Sequence, residues 1–76
     1  MINKIINYIK DDELKINYSN NKVNIVNYEK ILEVKNDVVT LIKSNKVINV
    51  RGNDLKLNKL LDNEILITGI ITKIEL

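Results

Sequence analysis

At 76 residues the chain is one domain or part of one, and a domain of that size buries only ~60% of the surface its unfolded chain exposes. It has no Cys and no His, which removes disulfides, thiolate metal sites, and the commonest general base and metal ligand. A formal charge of +2, with Lys interspersed among acidic residues, is too mild to imply nucleic acid. Its apolar content is almost wholly Ile, Leu and Val, with no Ala, Phe, Trp or Pro. β-Branched side chains lose rotamer freedom in helices and fit a pleated surface, so the composition leans towards strand. The longest apolar run is Ile65-Leu66-Ile67, too short to span a membrane. Residues 1–10 lack the continuous apolar stretch of a signal peptide, and the expected location is the cytoplasm.

Residues 2–10 read as a short amphipathic helix, because Ile2, Ile5, Ile6 and Ile9 fall at i, i+3, i+4 and i+7. A helix this short needs something to pack on. Asp11-Asp12 breaks the pattern and sets the boundary between residues 1–12 and a β domain over 13–76. After Glu13 the period becomes two: Leu14, Ile16 and Tyr18 alternate with Lys15 and Asn17. A two-residue Asn20-Asn21 loop places Tyr18 opposite Val23 and Ile16 opposite Ile25, with Tyr18 in the core.

Strands follow over Ile31–Lys35, Val38–Lys43 and Lys46–Arg51, joined by Asn36-Asp37 and Ser44-Asn45. Two-residue loops there put Leu41 between Leu32 and Ile48, and Val39 between Val34 and Val50. Such pairs each add roughly 0.2–1 kcal/mol over alanine pairs. The same register aligns Ile31, Ile42 and Val47 on the opposite face, with Val38 nearby. Aliphatic clusters of this kind are seldom left in water, so a cover is expected. The stripe of Ile5, Ile6 and Ile9 is one candidate and another chain the second. The candidate partner-binding surface is therefore Ile31, Ile42, Val47, Ile5 and Ile9.

Gly52-Asn53-Asp54 reads as a turn. Leu55, Leu57 and Leu60-Leu61 lead to a second turn at Asp62-Asn63, and Ile65 and Ile67 alternate into Gly69. The apolar parity then changes between Ile71 and Ile74, which beside a glycine predicts a bulge or bend. The expected fold is an all-β, mostly antiparallel sandwich or roll of about six to seven short strands with the short helix at its start.

No catalytic constellation, cofactor motif or metal set is expected. Asp11, Asp12 and Glu13 lack the further oxygen ligands and the Gly of a calcium loop, and read as a solvated helix end. Tyr8, Tyr18 and Tyr28 recur every ten residues, which as stacking platforms gives the alternative function, a small β-barrel-type nucleic-acid-binding module. Flanking Arg is missing, so strand-and-turn length is the preferred reason for the spacing. Lys56, Lys59 and Lys73 read as edge-strand lysines that oppose aggregation.

From about Glu13 to Leu76 the order of elements resembles the YabP/YqfC family of sporulation proteins, closer to its YqfC side. The segment Gly52-Asn53-Asp54-Leu55-Lys56-Leu57 is similar to the family's glycine, two polar residues, leucine and alternating aliphatics. Residues 63–76, Asn63-Glu64-Ile65-Leu66-Ile67-Thr68-Gly69-Ile70-Ile71-Thr72-Lys73-Ile74-Glu75-Leu76, resemble its closing pattern. Ile31-Leu32-Glu33 resembles the step that opens its central hairpin. The chain departs at Asn27-Tyr28-Glu29-Lys30, where the family often has an Asn-His-Arg-Gly-like step. The resemblance implies a non-catalytic assembly or adaptor protein made in the mother cell during sporulation. It implies a protein partner, with a membrane protein encoded nearby or a second copy as candidates, and a place in the cytoplasm or at a membrane through that partner.

Overall fold

Six antiparallel strands form one continuous sheet in the computed structural model, which describes residues 13–76. They are β1 (Lys15–Ser19), β2 (Lys22–Val26), β3 (Lys30–Val34), β4 (Val38–Lys43), β5 (Lys46–Leu61) and β6 (Glu64–Glu75), in the order β1-β2-β6-β5-β4-β3. The helix expected over residues 2–10 lies outside the described residues.

Asparagine in the left-handed region sets the hairpins. Asn21 has φ 57°, and the β1–β2 register runs Ile16↔Ile25, Tyr18↔Val23 and Ser19↔Lys22, as the apolar alternation requires. Ser44 and Asn45 have φ 51° and 64°, the two positive values of a type I′ turn, and fix Ile42↔Val47, Leu41↔Ile48 and Val39↔Val50.

β5 and β6 are long because each belongs to two layers. The first half of β5 pairs with β4, and the first half of β6 pairs with β2. Between these halves the β5–β6 ribbon loses regular pairing around residues 51–56 and 68–73. The expected turn at Gly52-Asn53-Asp54 is thus a bend inside one continuous strand, with Asp54 at φ 55°. Its cause is tertiary. A Cβ on Gly52 would stand 1.9 Å from the Ile70 carbonyl oxygen, so only glycine lets the two strands cross there. Gly69 has φ 131°, and its neighbourhood carries the bulge that the parity change predicts: Arg51 pairs with Lys73 and Gly52 with Ile71, leaving Thr72 as the extra residue.

The bend turns the sheet onto itself. Val23, Ile25, Ile65 and Ile67 come from one half, and Val39, Leu41, Ile48 and Val50 from the other. With Leu55 they form a single cluster in which no residue is more than 4% exposed. A flat single layer would leave one of its faces wet, so burial this complete needs the second layer that the bend supplies. The joint has an approximate two-fold character. Gly69 N–H donates to the Asn21 carbonyl in the β1–β2 loop, and Gly52 N–H donates to the Asp37 carbonyl in the β3–β4 loop.

One expected register fails. Ile31, not Leu32, pairs with Leu41, because β3 carries a bulge in which Leu32 has no opposite residue. Leu32 and Val34 are each 52% exposed, while Ile31 packs against the core. The Val34↔Val39 pair holds.

Asn27 closes the other end of the roll. It is the one buried polar residue among those described, at φ 69°. Its backbone N–H donates to the Asn63 carbonyl at 2.7 Å, and its Nδ2 donates to the Glu13 carbonyl at 2.8 Å. Its Oδ1 accepts from Asn63 Nδ2 at 2.6 Å. The side chain thereby ties the start of β1 to the β5–β6 turn. Asn27→Ala should lose roughly 2–4 kcal/mol, combining lost buried hydrogen bonds with the loss of the polar side chain that lets asparagine adopt left-handed backbone at low cost. Asn27→Gly keeps the backbone relaxed and should lose about 1 kcal/mol less. Equal losses in urea titration would show that backbone conformation is not part of the cost.

Candidate interaction surface

The outer face of the β3–β4–β5 layer is graded along the strands. At the Ser44-Asn45 end, Ile42 and Val47 face each other across the ladder, Ile42 half-buried and Val47 45% exposed. The next rung is polar: Thr40 Oγ1 donates to Asn49 Oδ1 at 2.8 Å. Beyond it Arg51, whose ladder partner is the buried Val38, donates through Nε to Glu75 Oε1 at 2.7 Å, and Lys73 Nζ lies 3.3 Å from Glu75 Oε2. The Arg51 hydrogen bond, reinforced by Lys73, holds the Glu75 carboxyl below the usual glutamate range, and the same bond raises Arg51. Both groups are in solvent, so salt screens their attraction. An aliphatic end bordered by a charged triad is the form of a small docking patch with a polar rim.

The hairpin end is held from below. Glu29 N–H donates to the Ile42 carbonyl at 2.9 Å, and the Glu29 carboxylate accepts from the Ser44 N–H. Ile42 and Val47 are therefore presented on a braced turn.

Of the expected surface residues, Ile42 and Val47 are brought together. Ile31 is not: the Leu32 bulge turns it to the core side, where it faces Leu41. Ile5 and Ile9 lie outside the described residues. Nothing in Ile31-Leu32-Glu33-Val34 signals the bulge, since it contains no glycine and three aliphatic residues.

Tyr18, expected in the core, is 57% exposed. It keeps its register opposite Val23, but it stands near the end of a sheet-edge strand, beyond the cover of the second layer. With Ile71, Thr72, Lys73 and Ile74 it lines an open hollow of about 360 Å³, where the roll is not closed between β1 and the second half of β6. Lys56 and Lys59 stand exposed on the second half of β5, which among the described residues pairs on one side only, as edge lysines should. Among the described residues no three His, Cys, Asp or Glu side chains gather as metal ligands do, and no helix is long and apolar enough to cross a membrane.

No protein-family model, curated protein or solved structure matches this chain.

Proposed function

We propose that the protein is a non-catalytic assembly or adaptor module of sporulation that works through protein contacts in the mother cell, with a membrane protein as partner. The support is the resemblance of residues 13–76 to the YabP/YqfC pattern. The observation that carries the contact surface is the Ile42–Val47 pair on its braced turn, with Val47 exposed and Ile42 half-buried beside it. An aliphatic pair beside a charged rim gives a partner both buried area and orientation.

The test is Ile42→Asp. Ile42 lies outside the core cluster, so the variant should keep its strand circular dichroism and most of its stability. In the native host it should abolish co-purification of the partner and reduce heat-resistant spores at least tenfold. Normal spore yield from a strain lacking the gene would overturn the sporulation reading, and undiminished co-purification would overturn the choice of surface.

The nucleic-acid alternative has one observation in its favour, an exposed Tyr18 beside Lys73 in the open hollow. Lys73 is already engaged with Glu75, which weakens it as a phosphate contact. Binding to single-stranded DNA or RNA that falls steeply with added salt would support this alternative.

A further inference from the structure

Among the described residues, the bent sheet has four open borders: β1, β3, the second half of β5 and the second half of β6. Three of them carry an extra, unpaired residue on the border strand itself. These are Leu32 on β3, Leu60 on β5 and Thr72 on β6. Bulges at open borders twist the backbone away from a second strand, which is how sheets avoid edge-to-edge association. β1 alone runs in unbroken register, from Lys15↔Val26 to Ser19↔Lys22.

The phase of the ladder says which β1 groups are free to pair. Gly69 N–H bonds to the Asn21 carbonyl, so on β2 the backbone groups of Val23 and Ile25 point to β6 and those of Lys22, Asn24 and Val26 point to β1. Their β1 partners Ser19, Asn17 and Lys15 are thereby used. The N–H and C=O groups of Ile16 and Tyr18 point away from the sheet.

We propose that β1 pairs with β1 of a second copy of this chain, antiparallel about a two-fold axis at Asn17. The strand is complementary to itself in that register. Ile16 of each copy faces Tyr18 of the other, and the outward groups of these residues exchange about four backbone hydrogen bonds. Lys15 falls beside Ser19, so no like charges meet. Residues paired across the axis lie on the same face, so the apolar side of Leu14, Ile16 and Tyr18 continues into its mate, as does the polar side of Lys15, Asn17 and Ser19. The exposed Tyr18 ring gains an aliphatic neighbour, and the hollows beside it come onto one side of the joined sheet. Self-complementarity selects a second copy over an unrelated strand.

Sedimentation equilibrium on the full chain tests this, with a dimer expected. Tyr18→Pro removes an outward N–H without touching the β1–β2 ladder and should weaken the dimer at least tenfold while strand circular dichroism persists. Asn17→Cys, the only thiol in the chain, should cross-link on mild oxidation, because facing residues of a non-hydrogen-bonded pair lie about 4.5 Å apart at Cα. Leu60→Cys, on a bulged border, should not. If Tyr18→Pro fails to fold, the comparison of the two thiols decides. A chain still monomeric at about 1 mM overturns the proposal. So does a dimer that ignores Tyr18→Pro, or one in which both thiols cross-link equally. Protection of the Ile16 and Tyr18 amides from hydrogen exchange in a monomer also overturns it, in favour of residues 1–12 of the same chain as the occupant.

Discussion

Gly52→Ala should leave the chain largely unfolded at room temperature. The added methyl carbon would sit 1.9 Å from the Ile70 carbonyl oxygen and 3.0 Å from Leu55 Cδ2. The first contact is with backbone, which cannot swing aside as a side chain can. Relief requires β5 and β6 to separate at the bend, where the Gly52 N–H also bonds the Asp37 carbonyl. A chain of this size has roughly 4–11 kcal/mol of total stability at the usual per-residue range. A clash that parts two backbones belongs with the exceptional losses above about 4 kcal/mol. Circular dichroism with a urea titration reads the effect, and a loss below about 1 kcal/mol would mean that the crossing is looser than described. Gly69→Val adds a second probe of the same joint. It places a β-branched residue at φ 131° with its Cβ 2.6 Å from the Asp54 carbonyl oxygen.

Leu41→Ala should cost roughly 2–5 kcal/mol, because the side chain is wholly buried and a cavity would remain. Leu41 sits between Ile31 and Ile48 on its own layer and belongs to the nine-residue cluster shared with the other layer. Leu32→Ala is the matched comparison. Half-exposed on its bulge, Leu32 should cost no more than about 0.5 kcal/mol. Chemical denaturation of both variants measures the difference, and near-equal losses would return Leu32 to the core.

That contrast marks where the sequence is informative. Asn20-Asn21 and Ser44-Asn45 are legible because asparagine tolerates left-handed backbone, and their registers follow from matching apolar residues across the loop. The bulge at Thr72 is legible because the parity of Ile71 and Ile74 cannot both suit one face of a regular strand. The Leu32 bulge is not, since Ile31 or Leu32 facing inward gives an equally aliphatic pattern. Gly52-Asn53-Asp54 misleads for a related reason: the same composition serves a reversing turn and a bend within a continuous strand. What separates them is the approach of Ile70, 18 residues further along the chain. Of the candidate surface, the Ile42–Val47 pair follows from a type I′ turn that sequence can specify, whereas Ile31 depends on the unsignalled bulge.

The two glycine-to-loop hydrogen bonds at the joint also decide where the chain can be lengthened. The Asn20-Asn21 and Asn36-Asp37 loops are parts of the bend, their carbonyls spent on Gly69 and Gly52. Extra residues there would displace an acceptor from the crossing point. The Ser44-Asn45 turn lies at the far end of its hairpin, away from the bend. An insertion there would leave the bend intact but break the Glu29–Ser44 brace beneath Ile42 and Val47, so it separates docking at that patch from folding.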